Sequence, residues 1–111
     1  MDDRAAVKKG EVIPVAPSVG YAMGAVVSKT LLKKETGNIT LFSFDSGQGL
    51  SEHTAPFDAV VHVVEGQAQV FIGGEKKEVG EGEMIIMPAN VPHALHAEKA
   101  FKMVLTMIRS G

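Results

Sequence analysis

From Ala25 onward the chain is a succession of short apolar runs, each interrupted within ten residues or so by glycine, proline or asparagine. Ala68, Val70 and Ile72 alternate with Gln67 and Gln69, the period-two pattern of a strand with one buried face. Phe101, Met103, Leu105 and Met107 share one parity in the same way. Other runs predict strands over 25–34, 39–45, 57–64, 75–79, 84–87 and 93–97. Between them stand turn signals: Glu35-Thr36-Gly37-Asn38, Ser46-Gly47-Gln48-Gly49, Glu65-Gly66, Gly73-Gly74 and Gly80-Glu81-Gly82. Gly73-Gly74 is a signal for a two-residue hairpin. Glycines and prolines interrupt every window in which a helix could form. Eight or nine short strands at regular spacing imply an all-β protein, a sandwich or jelly-roll barrel.

The region before Ala25 reads differently. Pro14 and Pro17 break it, and Val12, Ile13 and Val15 suit an extended arm or an edge strand. We divide the chain into an arm and loop over 1–24 and a barrel over 25–111. With 111 residues there is room for one core and not for two.

Composition narrows the function classes. Apolar residues make up 45% and charged residues 22%, as in ordinary globular domains. A net charge of −2 without a basic block argues against nucleic acid as a partner. The absence of cysteine excludes disulfides and thiolate metal sites. Met1-Asp2-Asp3-Arg4 is a poor start for a signal peptide and no apolar run is long enough for a membrane span. These point to a cytoplasmic protein. No nucleophile elbow occurs, and Gly47-Gln48-Gly49 is a turn that no helix follows.

Two segments together resemble the small single-domain cupins: Gly47 to Gly66, which reads GQGLSEHTAPFDAVVHVVEG, and Gly80 to Ala97, which reads GEGEMIIMPANVPHALHA. The second motif of that family usually reads Pro-x-Gly-x-x-His, and Asn90 stands here where the glycine would be. Asparagine is the next most tolerant residue of a left-handed backbone, so the exchange is mild. The resemblance implies a double-stranded β-helix, the jelly-roll cupin barrel, with a pocket inside. It also implies a metal site of two histidines spaced His-x-His, a Glu or Gln, and a last histidine. His53 and His93 match the first and last ligands. Ala55 and Ala59 stand at the other two.

Two imidazoles can hold a divalent transition metal (Zn, Ni, Fe or Mn), with water in the open positions, more loosely than three or four ligands would. They can equally hydrogen-bond to each other, to water or to an organic ligand. His62 is the candidate replacement ligand. If alternation runs regularly from His53, odd positions point inward and His62 points out. A bulge between Pro56 and Val61 would reverse that; otherwise His62 is a structural histidine. His96 falls on the face opposite His93. Between His53 and the closing Glu65-Gly66 of the first motif, Asp58 is the one carboxylate, a ligand or base if the bulge exists and a loop hydrogen-bond acceptor if not. Glu52 points away, though either carboxylate could orient a metal-bound histidine. Phe57, Ala55, Ala59, Asp58, Met84 and Met103 are expected to line the pocket, with Val61, Val63, Met87, Leu95 and Met107. The same residues at period two serve equally well as plain core.

Three functions follow. The first is a small-molecule-binding barrel with a reduced metal site. The second is a metal-dependent oxygenase or isomerase using His53, His62 and His93. The third is a structural or partner-binding barrel filled solid. An inward His62 favours the enzyme, a polar-mouthed cavity the binder, a filled interior the third. By the resemblance, exchange of the N-terminal arm would make a homodimer.

Overall fold

The computed structural model describes residues 7–109; Met1 to Ala6 of the expected arm lie outside them. Nine strands follow in chain order: β1 Val26–Lys34, β2 Gly37–Phe44, β3 Gly49–His53, β4 Asp58–Glu65, β5 Gln67–Ile72, β6 Glu75–Gly80, β7 Met84–Met87, β8 His93–His96 and β9 Phe101–Ile108. They form two antiparallel sheets, β1-β2-β9-β4-β7 and β3-β8-β5-β6. This is the jelly-roll barrel that the pattern predicts. The one helical feature among the described residues is a 3-10 turn at Ala16–Ser18. No helix among them is long and apolar enough to cross a membrane. Of the nine strands, β3 is the one that the hydrophobic pattern misses. Gly49-Leu50-Ser51-Glu52-His53 has a single apolar residue, and only its pairing with β8 makes it a strand.

The interior is built by parity. Ala59, Val61 and Val63 of β4 and Phe101 and Met103 of β9 are buried, and so are Ala68 and Val70 of β5 and Leu95 of β8. Phe44 and Phe101, both without exposed surface, stack with ring centroids 4.5 Å apart. Such a pair contributes about 0.5–1.5 kcal/mol beyond its buried area. Leu50, Ile85, Leu105 and Met107 pack against this cluster from the strand ends.

Turns are set by backbone chemistry at a few positions. Gly73 and Gly74 both have positive φ, 58° and 83°, as a two-residue hairpin needs. At Gly66, φ is 81° and a Cβ would fall 2.8 Å from the carbonyl oxygen of Ala100, so no side chain fits there.

The arm lies on the outer face of the five-stranded sheet. Lys102, 8% exposed, donates from Nζ to the carbonyl of Ala16 at 2.7 Å and sits 4.9 Å from the centre of the Tyr21 ring. Ser43 Oγ donates to the carbonyl of Gly20 at 2.7 Å, and Tyr21 donates its hydroxyl to Glu65 Oε2 at 2.6 Å. Burial, and then the Glu65 carboxylate, push the Tyr21 hydroxyl above its ordinary range, so it stays a donor at physiological pH.

Truncating the buried stack leaves a void that the two sheets cannot close. Phe44→Ala is expected to cost about 3–5 kcal/mol, read as a lowered midpoint of urea unfolding; a loss under 1 kcal/mol would mean that the stack is not part of the core.

Candidate functional site

His53 and His93 meet at one end of the barrel. They are partners across the β3–β8 ladder, yet their arrival on the same face is not automatic. Leu50 pairs with Leu95 and His53 with His93, so three steps on β3 match two on β8. This irregularity is a bulge. Leu50 packs against the core. Regular alternation from Leu50 would turn His53 to the outside; the extra residue returns it to the inner face. A bulge between Pro56 and Val61 would have turned His62 inward; the one that bears on the pair is in β3, and it acts on His53 rather than His62.

The two rings stand edge to face, with centroids 4.4 Å apart and an interplanar angle of 70°. His93 is 5% exposed, while His53 lies on the exposed side of the pair. His53 Nδ1 donates to the carbonyl of Ser51 at 2.8 Å, and His93 Nδ1 to the carbonyl of Val91 at 3.2 Å. A carbonyl oxygen can only accept, so both Nδ1 atoms carry hydrogen. In two neutral rings each Nε2 then presents a lone pair. The two Nε2 atoms are 3.2 Å apart. Two lone pairs at that distance repel unless a cation, either a proton or a metal ion, lies between them.

Three further contacts hold the site. Asn90 N donates to the carbonyl of Ala55 at 2.7 Å. Ala89 N donates to Asp58 Oδ1 at 2.8 Å. Gly73 N donates to the carbonyl of Pro92 at 2.8 Å. The segment between β7 and β8, which delivers His93, is therefore tied to the loop after His53, to the start of β4 and to the β5–β6 hairpin. Asn90 has a φ of 65°, the left-handed backbone that its replacement of glycine suggests. Asp58 serves as the loop acceptor and not as a base or ligand beside the pair.

The remaining expected residues divide. Ala59 and Met103 are buried in the barrel, and Ala55 is partly buried beside the loop that Asn90 clamps. Phe57 is partly buried, with the Arg109 guanidinium 5.3 Å from its ring centre. Met84 is 60% exposed and lines a depression on the outside with Lys77, Glu78 and Glu83, not the barrel interior. It pairs with His62 across β4 and β7, and both face outward, because β4 buries Ala59, Val61 and Val63 in regular alternation on either side of His62. His62 is therefore on the other side of the sheet from His53 and His93, which removes the proposed third ligand. His96 and Glu52 are exposed. Among the described residues no group of three or more His, Asp or Glu converges as a metal site. The donor set does fit two-point binding. Metal–nitrogen distances near 2.0–2.1 Å place neighbouring ligand atoms about 3 Å apart, and imidazoles held through Nδ1 by backbone carbonyls are the usual form of metal-binding histidine.

A barrel of two antiparallel sheets with a histidine pair at one mouth defines a class, and comparison with known proteins gives its family. The cupin domain pattern matches residues 40–109; the chain belongs to the cupin family. A conserved Streptococcus pyogenes protein of unknown function, SPY1581, superposes with a TM-score of 0.90 at 35% identity, over 96% of this chain and 93% of that one. A cupin 2 conserved barrel domain protein from Leptotrichia buccalis gives a TM-score of 0.85 at 39% identity, over 87% of this chain and 47% of that one. An uncharacterized Streptomyces coelicolor protein, SCO3923, is 31% identical over 65 residues, 59% of this chain and 62% of that protein. The chain thus spans less than two thirds of this curated relative.

The clamp on the second motif is open to test by unfolding. Asn90→Gly is expected to be neutral or to stabilise by up to ~1 kcal/mol, and Asn90→Val to cost about 1–2 kcal/mol, because a β-branched residue resists positive φ. Equal stability of the two variants would show that the left-handed turn carries no weight.

Proposed function

We propose that the protein binds a small molecule at this mouth and that His53 and His93 hold a divalent transition metal there. One observation carries the reading. Both Nδ1 atoms are committed to backbone carbonyls, and both Nε2 atoms are turned on the same point, 3.2 Å apart. With methyl groups at Ala55 and Ala59, the chain offers no further donor at the other family positions. A metal on two imidazoles keeps open positions, which an oxygen or nitrogen donor of a small ligand can fill; a bound ion would act there as a Lewis acid. The partly buried Phe57, with Arg109 against it, offers an apolar and cationic edge at the same end of the barrel.

The enzyme reading loses its third ligand with the outward His62. A buried core with Phe44, Phe101 and Met103 fully covered is what a purely structural barrel would also show. What favours binding is the histidine pair, which a solid barrel has no need to aim in this way.

Calorimetric titration of untagged protein with Zn2+ or Ni2+ tests the metal. About one equivalent is expected to bind, to be lost in His53→Ala and in His93→Ala, and to be kept in His62→Ala. An absence of binding in the parent would leave the pair bridged by a proton alone and end the metal reading.

A further inference from the structure

Where β1 turns into β2, one position on the outer face of the five-stranded sheet has no side chain. The ladders set Lys34, Gly37 and Ile108 side by side across β1, β2 and β9, and Leu32, Ile39 and Thr106 in the next row. Lys34 and Ile108 therefore stand on either side of bare backbone. A Cβ at Gly37 would run into the carbonyl oxygen of Met107, so β2 pairs with β9 here only through a glycine, and the gap is built into the ladder. The register of β1 shifts beside it, between Thr30 and Leu32, a bulge that spreads the strand edge. The result is a depression of about 280 Å3. Leu32 and Ile39 are half-buried in it, and Ile108 forms an exposed wall. The two charged residues on its rim, Lys34 and Arg109, are both cations. Arg109 is held at the strand end, its N–H donating to the Thr36 carbonyl at 2.7 Å and its guanidinium lying 5.3 Å from the centre of the Phe57 ring. Among the described residues the ion pairs are Lys76 with Glu78 and Lys77 with Glu75; neither rim cation has one. Asp58, the ladder neighbour of Ile108, is turned instead to the N–H of Ala89.

We propose that this depression binds a small amphipathic anion, a free carboxylate on a straight apolar chain of about six to eight carbons. Charge complementarity selects the head. Lys34 and Arg109 can each give a charge-assisted hydrogen bond to one carboxylate from opposite sides of the rim, whereas an amine would be repelled and a neutral chain would leave both cations without a partner. The walls select the tail. An inorganic anion would leave Leu32, Ile39 and Ile108 wet, while an alkyl chain lying over Gly37 covers all three. Length follows from the ladder: two inter-strand spacings, about 10 Å, separate Lys34 from Ile108, and two residues, about 7 Å, separate the rows. The arm leaves this gap open, because its own hollow lies further back along β1, at Lys29. His53 and His93 face the interior, on the other side of the sheet wall, so the anion site does not depend on a metal there.

Calorimetric titration of the full chain with octanoate below its micellar range tests the site, with EDTA present so that no metal takes part. One equivalent is expected to bind. From butanoate to octanoate the dissociation constant is expected to fall about three- to fourfold for each added methylene. Octan-1-ol, which has the same chain without the charge, is expected to bind at least about tenfold more weakly. Lys34→Gln with Arg109→Gln is expected to weaken octanoate by a similar factor with an unchanged β circular-dichroism spectrum, and His53→Ala with His93→Ala to leave it unmoved. No binding of octanoate, equal affinity for octan-1-ol, or indifference to the Lys34→Gln with Arg109→Gln pair would overturn the proposal. Loss of binding in His53→Ala with His93→Ala would also overturn it, by moving the anion to the histidine mouth. Flotation with phosphatidylglycerol vesicles separates a free acid from a lipid surface. The protein is expected to stay off the vesicles; co-flotation without binding of free octanoate would overturn the proposal in favour of the surface.

Discussion

Two antiparallel sheets close over one interior only if every strand gives the same parity to the inside, and in this molecule that constraint decides which side chains can ever meet. On β4 it buries Ala59, Val61 and Val63 and so sends His62 outward. On β8 it turns His93 and Leu95 inward and His96 out. Hydrophobic burial is the force behind it: with roughly 25 cal/mol for each Å2 of apolar surface removed from water, slipping β4 by one residue would expose three core side chains and bury a histidine. No preference of one imidazole for a metal competes with that. His53 escapes the rule only because β3 is an edge strand with little apolar surface, where a bulge costs little.

Much of the fold was legible. Period-two runs, glycine turns and two spaced motifs predict the barrel, and its buried set includes Ala59 and Met103 as read from sequence. Asn90 was legible too, since few residues other than glycine tolerate a left-handed backbone. The site was legible only in part. The pairing of His53 with His93 follows from the motifs, but the β3 bulge does not, because Ser51-Glu52-His53 contains no Gly or Pro to mark it. Pro56 pointed to a break in the wrong strand: it sits in the loop before β4 and interrupts no ladder. Met84 misled for a different reason. A methionine in an apolar run reads as core, and nothing local distinguishes an inner from an outer face when both are apolar.

The two alanines bear on chemistry more than on fold. A methyl at position 59 packs in the core beside Met87, its ladder partner, so the barrel keeps its shape without the donor. Family membership therefore speaks to architecture, while the chemistry open to His53 and His93 depends on how the two imidazoles are held. Here the backbone does the holding. Ser51 and Val91 supply carbonyls whatever their side chains are, so the orientation of the pair does not depend on any other polar side chain.

The position of β9 has a consequence for how the chain comes together. It is the last strand in sequence yet the middle strand of its sheet, between β2 and β4. Those two strands share no ladder, so until β9 leaves the ribosome they have nothing to pair with across the gap. The arm waits as well, since the ammonium of Lys102 reaches back 86 residues to the Ala16 carbonyl. A chain with such long-range contacts folds late and slowly for its size. The arm from Ala16 to Tyr21, made before any of the nine strands, is then among the last segments to be fixed in place.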